Sequence, residues 1–224
     1  MRRFVVLPGM HGTAELMDDF AATAPPGARV DLVTLPPHMA DYEELAAHFA
    51  ATLALTPDSI LVAESFSGPL AIMLAARFRI AALVLCNTFA NAPYPGLLAE
   101  LPLMLVAGIR PAAFLVRYFI VGADAPDSLV RQVRGVAERL PPETMVSRTR
   151  SALKVDVRPE LAHCTSPILY LRGTEDHLIR KWSANAIVRA ATVPVTVADI
   201  KGPHLMLKTT PREAWAVIEA FLGG

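Results

Sequence analysis

Residues 61–70, with the sequence LVAESFSGPL, place a serine at a corner between two kinds of predicted structure. Residues 59–63 form a short, mostly apolar run that predicts a strand, and an alanine-rich, helix-like segment begins directly after Ser65. The flanking residues Ala63 and Ser67 are small, as a tight strand-to-helix turn requires, because a larger side chain would clash there. A serine beside a glycine is also common in ordinary turns and helix caps. The stretch therefore constrains the local fold strongly, and its function depends on what the rest of the chain supplies.

Short apolar runs recur along the chain and alternate with helix-like segments. The other predicted strands span residues 4–7, 30–35, 80–85, 167–171 and 193–197. The clearest helix follows Asp41 and Glu44, which have the spacing of a capping box and precede apolar residues at helical intervals. This alternation predicts an α/β fold with a mainly parallel central sheet of about six strands, flanked by helices. Ligand chemistry in such a sheet lies beyond the carboxyl ends of the strands.

Residues 90–160 interrupt this alternation. Helices are predicted at 97–106, 112–121, 127–140 and 143–153, which indicates a helical lid inserted into a core made of residues 1–89 and 161–224. The part from 97 to 123 is strongly apolar, but Glu100, Arg110 and Arg117 interrupt it. No uncharged run approaches the ~18 residues that a membrane span needs. We therefore expect a lid with an apolar underside and no transmembrane segment.

Charge and cysteine content exclude several classes of function. The 224 residues carry 21 basic and 21 acidic side chains, a formal net charge of 0, so nothing indicates a nucleic-acid partner. Cys86 and Cys164 lie far apart without metal-ligand spacing, and no phosphate-binding glycine loop is present, so we expect neither a metal nor another cofactor. The N-terminal apolar run is too short for a signal peptide, which makes a cytoplasmic location the default expectation.

A serine hydroxyl needs an adjacent base to act as a nucleophile, and the base needs an orienting carboxylate. Asp176 comes just after the strand predicted at 167–171, and His204 lies in the loop after the last predicted strand. Serine, aspartate and histidine thus follow strand ends in an order that catalytic triads take on such sheets. Glu175 is an alternative acid, Ser67 is an alternative nucleophile, and Asp199 is a more remote candidate for the acid.

Four segments together resemble the α/β-hydrolase superfamily, in particular its small serine esterases and thioesterases. They are LPGMHGT at 7–13, ESFSG at 64–68, GTED at 173–176 and GPHL at 202–205. The resemblance extends over essentially the whole chain, although alanine and serine replace the usual glycines around the corner. It implies that Ser65 is the nucleophile, that His204 is the general base and then the acid, and that Asp176 orients the histidine.

The same resemblance implies an oxyanion hole made of two backbone N–H groups. One belongs to Phe66, the residue after the nucleophile, and the other to Met10 in the loop after the first strand. If His11 and Gly12 are instead aligned with the usual His-Gly pair of the superfamily, the second donor moves to Thr13.

The predicted lid carries far more apolar surface than charge, which favours a small, largely apolar acyl substrate. Candidate pocket residues are His11, Leu105, Phe114, Tyr118 and His177. Four arginines near the lid, at 110, 117, 131 and 134, fit an acidic, carrier-linked leaving group instead. The function expected is cleavage of a carboxylic ester or thioester through a Ser65 acyl-enzyme. The alternatives are an acyltransferase or lyase with the same triad, or a non-catalytic binding protein on this fold.

Overall fold

A computed structural model describes residues 1–100 and 111–223 of the chain. Its strands are β1 (Arg2–Leu7), β2 (Ala28–Leu32), β3 (Ser59–Glu64), β4 (Ala82–Cys86), β5 (Ile168–Gly173) and β6 (Val195–Ile200). They form one parallel sheet of six strands in the order β2-β1-β3-β4-β5-β6. The predicted α/β fold with a parallel sheet of about six strands is confirmed.

Helices cover both faces of this sheet. The helices are α1 (Asp18–Ala22), α2 (Tyr42–Thr52), α3 (Ser67–Arg77), α4 (Ala113–Val116), α5 (Asp127–Arg139), α6 (Pro142–Lys154), α7 (Arg158–Leu161), α8 (Trp182–Ala190), α9 (Met206–Thr209) and α10 (Pro211–Gly223). One apolar layer packs beneath α2, α3, α7 and α8, and a second packs beneath α1, α9 and α10. The sheet is therefore the middle of three layers.

The central strands are mostly apolar because both of their faces are covered. Strand β3 is buried along its whole length, and so is β4. Successive side chains of a strand point to opposite faces. Leu61 accordingly belongs to the α2–α3 layer, whereas Ile60 and Val62 belong to the α10 layer.

Several predicted elements differ from the observed ones in detail. The second strand runs over Ala28–Leu32 rather than 30–35, because it pairs residue by residue with β1 from Arg2 to Val6. The segment at 14–22 divides into a 3₁₀ turn (Ala14–Leu16) and α1. The helices α7 and α9, each of four residues, were not predicted, because one turn is too short to show a period.

The segment between β4 and β5 is helical in its described part. The helix predicted at 97–106 begins with a 3₁₀ turn (Gly96–Glu100), and its remaining residues lie outside the described ones. The helix predicted at 112–121 is short α4 followed by a π-helical turn (Arg117–Val121). Within residues 1–100 and 111–223, no helix has the length and apolar character needed to cross a membrane.

Candidate active site

The corner between β3 and α3 holds Ser65 in an unusual backbone conformation. Its φ angle is 55°, in the left-handed region that costs a residue with a side chain about 1–2 kcal/mol. Backbone pairing fixes the corner, because Ser65 N–H donates to the Cys86 carbonyl at 3.0 Å and the Thr88 hydroxyl donates to the Ser65 carbonyl. Gly68 completes the turn, since a Cβ there would lie 1.9 Å from Thr88 Oγ1. The serine therefore stands at the carboxyl end of β3.

Ser67 has a structural role that its position in the sequence did not reveal. Its hydroxyl is buried and donates to the carbonyl of Pro8 at 2.5 Å. This bond ties the start of α3 to the loop that follows β1. Because the hydroxyl is engaged there, the geometry does not favour Ser67 as a nucleophile.

Three side chains predicted from separate strand ends form one hydrogen-bonded chain. The Ser65 hydroxyl lies 2.8 Å from His204 Nε2, and His204 Nδ1 lies 2.9 Å from Asp176 Oδ2. The other carboxylate oxygen of Asp176 accepts from the N–H groups of Leu178 and Ile179 at 2.7 and 2.9 Å. Since Asp176 can only accept when ionised, the histidine proton is on Nδ1 and Nε2 is free to accept from the serine.

The neighbouring acids lie elsewhere. Glu175 is exposed, whereas the side chain of Asp176 is 2% exposed. Asp199 forms a two-pronged ion pair with Arg172, at 2.6 and 2.8 Å. The structure thus brings Asp176, and neither Glu175 nor Asp199, to the histidine.

A buried asparagine holds the histidine loop in place. Asn87, directly after β4, donates from Nδ2 to the carbonyls of Pro203 and His204 at 3.0 and 2.9 Å. Its Oδ1 accepts from the N–H of Gly173 at 2.7 Å. One side chain therefore connects the end of β4, the end of β5 and the loop that carries His204.

The charges around the histidine favour its protonated form. Burial by itself lowers the pKa of His204, but the charge and hydrogen bond of Asp176, together with the charge of Glu64, outweigh burial and raise the pKa above 6.5. Glu64 precedes Ser65 and is fully buried, which raises its own pKa to about 7. One Glu64 oxygen accepts from Leu207 N–H at 3.1 Å, and the other has no partner among the described residues.

The loop after β1 is held by a buried arginine from α6. Arg148 is 0% exposed and donates to the carbonyls of Met10, Pro36 and Met39 at 2.8, 2.9 and 3.0 Å. Burial lowers the pKa of Arg148 to about 10, so it stays charged at neutral pH. Gly12 allows this approach, because a Cβ there would lie 2.5 Å from Arg148 Nη1. The arginine fixes the peptide that joins Met10 to the next residue.

A cavity of about 390 Å³ reaches Ser65 and His204. Most of its wall is apolar, and the residues from the segment between β4 and β5 are Pro111, Leu115, Val116, Phe119, Ile120, Val133, Ala137 and Met145. The loop after β1 contributes Gly9, Met10 and His11. The cavity therefore joins the hydrogen-bonded serine to an apolar chamber beside the helices between β4 and β5.

Of the predicted pocket residues, His11 lines this cavity and Leu105 lies outside the described residues. Phe114 and Tyr118 do not line it and are 68% and 55% exposed. His177 also lies outside the wall and stacks on Tyr118 with ring centres 4.4 Å apart. The wall at this point is formed by Leu115 and Phe119, which are four residues apart; Phe114 and Tyr118 have the same spacing one residue earlier, so helical spacing alone does not indicate which pair faces inward.

The comparison with protein families agrees with this geometry. A family described as "Alpha/beta hydrolase family" matches residues 4–217. The chain belongs to the alpha/beta hydrolase family. No match was found among proteins with curated descriptions.

Solved alpha/beta hydrolase-like structures cover the full length of the chain. An esterase from Exiguobacterium antarcticum is similar with a TM-score of 0.86 and 14% identity, and a hydrolase from Oleispira antarctica with 0.85 and 12%. An enol-lactonase from Burkholderia xenovorans is similar with 0.79 and 20%. Each alignment covers 100% of this chain and 92% of the other. At these identities the likeness establishes the shared fold.

Sequence reasoning missed the residues that support the site of this alpha/beta hydrolase. Ser67, Asn87 and Arg148 all act by donating to backbone carbonyls of distant segments. No pattern of residue spacing in the sequence indicates such contacts. The sequence shows only a charged residue, Arg148, on a predicted helix, and its partners cannot be identified until the fold is known.

Proposed function

We propose that this hydrolase cleaves a carboxylic ester, or a thioester, of a small and largely apolar acyl group through an acyl-enzyme on Ser65. The observation that carries the proposal is the continuous hydrogen-bonded chain from Ser65 through His204 to the buried Asp176. A serine in a strained corner with an adjacent, oriented imidazole has what nucleophilic acyl transfer requires.

In the first half-reaction the Ser65 oxygen attacks the ester carbonyl and its proton moves to His204 Nε2. Asp176 keeps the ring oriented and stabilises the imidazolium that forms. The tetrahedral intermediate collapses, the bond from the acyl carbon to the leaving oxygen or sulfur breaks, and His204 returns the proton to the leaving alcohol or thiol. Water then repeats these steps on the acyl-enzyme, which releases the acid and restores the serine.

The backbone N–H groups of Met10 and Phe66 are proposed to stabilise the oxyanion. Met10 lines the cavity beside Ser65, and Phe66 directly follows the serine. The alternative donor Thr13 is already engaged, because its N–H donates to His11 Nδ1 at 3.2 Å. Losing one oxyanion donor typically lowers turnover ~10²–10³-fold.

The cavity supports a small, apolar acyl group. Its volume of about 390 Å³ is near the lower end for small-molecule sites, which run from roughly 300 to 1,000 Å³. Leu115, Phe119 and Met145 on its wall come from residues 90–160, which we propose to be a lid over the core. A carrier-linked substrate would present its acyl end to the same chamber.

A panel of 4-nitrophenyl esters and acyl thioesters of increasing chain length tests the proposal. The wild type should hydrolyse short and medium chains, and Ser65→Ala should abolish turnover. Asp176→Asn should lower kcat by orders of magnitude, whereas the matched control Glu175→Gln should leave kcat nearly unchanged. The proposal would be contradicted if the wild type hydrolysed no member of the panel. An equal fall in kcat in Asp176→Asn and Glu175→Gln would contradict the role of Asp176.

A further inference from the structure

His11 lines the cavity and has a buried ring nitrogen, Nε2, for which the described residues supply no hydrogen-bond partner. The residue lies in the loop after β1 and lines the chamber that holds Ser65. Its Nε2 atom is buried and has no hydrogen-bond partner within residues 1–100 and 111–223. A buried polar atom without a partner costs free energy, so native structures rarely leave one without a role or a bound molecule.

The protonation of the His11 ring follows from its other nitrogen. The backbone N–H of Thr13 donates to His11 Nδ1 at 3.2 Å, and a backbone N–H can only donate. Nδ1 therefore carries the lone pair, and the ring proton is on Nε2. Burial, together with the charges of Arg148 and His204, lowers the pKa of His11 to about 4, so the ring is neutral at ordinary pH.

The unpartnered atom lies close to the nucleophile. A Cβ built on Gly9 would lie 3.6 Å from His11 Nε2 and 3.6 Å from Ser65 Cβ, so both side chains face the same small space. The rest of the wall there is largely apolar, with Leu115, Phe119 and others across the chamber. The Nε2–H group is thus a hydrogen-bond donor without a partner among the described residues, at an apolar pocket beside Ser65.

We propose that His11 determines specificity by donating a hydrogen bond from Nε2–H to a second acceptor oxygen in the acyl part of the substrate. This inference rests on the proposed ester hydrolysis and narrows its substrate class to acyl groups that carry an ether, ketone or hydroxyl oxygen a few bonds from the scissile carbonyl. The oxygen lies on the acyl side because the proposed function places the acyl group in the chamber that His11 lines. The apolar wall disfavours a charged acceptor, since nothing offsets its desolvation, and a purely hydrocarbon chain leaves the Nε2–H donor unsatisfied.

Matched esters measure this selectivity. The substrates are 4-nitrophenyl pentanoate and three oxygen-bearing esters of the same chain length: ethoxyacetate, 3-methoxypropanoate and 4-oxopentanoate. For each protein, kcat/KM of an oxygen-bearing ester is divided by kcat/KM of pentanoate. Comparing these ratios between proteins removes the different intrinsic reactivities of the esters.

Two variants of His11 separate the donor from the packing of the ring. Phenylalanine keeps the bulk but loses both the Nε2–H donor and the acceptor for Thr13, whereas glutamine has an N–H donor at a similar reach and an amide oxygen that can accept. At least one oxygen-bearing ester should show a ratio about tenfold lower in His11→Phe than in the wild type, the value of one hydrogen bond. His11→Gln should recover most of that ratio, and the control His177→Phe, the same substitution at an exposed histidine outside the cavity wall, should leave it unchanged.

Equal ratios in the wild type and His11→Phe for all three oxygen-bearing esters would overturn the inference. If His11→Phe lowers kcat/KM by the same factor for pentanoate and for the oxygen-bearing esters, His11 only supports the loop, and the inference is overturned. Failure of the proposed function looks different, because the wild type would then not hydrolyse pentanoate or any other ester in a Ser65-dependent manner.

Discussion

Replacing Arg148 with methionine should both destabilise the fold and slow turnover. The guanidinium donates to three backbone carbonyls, those of Met10, Pro36 and Met39, and it is fully buried. No carboxylate pairs with it among the described residues, so these carbonyls and the ring of Phe66, 5.9 Å away, surround the charge. Methionine fills similar space and donates nothing.

The magnitude follows from the three lost bonds. Leaving a buried carbonyl without its donor costs about 1–3 kcal/mol, which gives about 3–9 kcal/mol for three, less what the variant gains because it no longer buries a charge. A domain of this kind is stable by about 5–15 kcal/mol in total, so the variant should unfold at a clearly lower urea concentration. Loss of the bond to the Met10 carbonyl should also loosen the loop that carries the Met10 N–H, the proposed oxyanion donor, and so lower kcat by up to about 10²–10³-fold, the effect of losing one such donor.

Urea unfolding and ester kinetics on the folded variants measure the two effects separately. Arg148→Lys is the matched control, because an ammonium keeps the charge and can satisfy only part of the carbonyl set, so it should fall between the wild type and methionine. A stability change below about 1 kcal/mol in Arg148→Met would refute the account of the three bonds. A large loss of stability with unchanged kcat would refute the claim that Arg148 positions the loop that carries the Met10 N–H.

Two further predictions concern the neighbours of the histidine. In Glu64→Gln, the acid limb of the kcat/KM profile should move to lower pH, because the charge of Glu64 raises the pKa of His204; an unmoved or higher limb would contradict this. The same variant should gain stability relative to the wild type as the pH rises from about 4.5 to 7. The folded wild type holds on Glu64 a proton that the unfolded chain releases over this window, since burial raises the pKa of Glu64 to about 7. Urea unfolding at pH 5 and pH 8 tests this difference, and a constant gap would refute it. Ser65→Gly should be about 1 kcal/mol more stable than Ser65→Ala, although both are inactive, because glycine accepts the φ angle of 55° without strain; an alanine variant that is equally stable would contradict the strain.

The framework of the fold could be predicted because the buried strands and the capped helix have local signals. Strand β4 is apolar throughout and β3 is apolar from Ile60 to Ala63, and Asp41 caps α2 by accepting from the N–H groups of Glu43 and Glu44. Strand β2 was displaced by two residues at its start, since register depends on the partner strand and not on its own composition. Phe114 and Tyr118, expected in the pocket, are not on the wall of the observed cavity, because they and the lining residues Leu115 and Phe119 have the same four-residue spacing and the sequence does not indicate which pair faces inward.

The candidate site could be predicted as far as its chemistry depends on strand ends. Ser65, Asp176 and His204 each follow a strand, and the topology of a parallel sheet brings such positions together. The supporting contacts could not be predicted, because Asn87 and Arg148 bind carbonyl groups more than a hundred residues away in the chain. Backbone carbonyls are the same at every residue, so only the folded structure identifies which ones are bound.

The central claim, that Ser65 is an activated nucleophile, is tested most directly by covalent labelling. The wild type is treated with a fluorophosphonate and digested, and fragment-ion mass spectrometry locates the adduct between residues 64 and 68. The account predicts one adduct on Ser65, no adduct in Ser65→Ala, and much slower labelling in His204→Ala. An unlabelled wild type, or an adduct on Ser67, would contradict it.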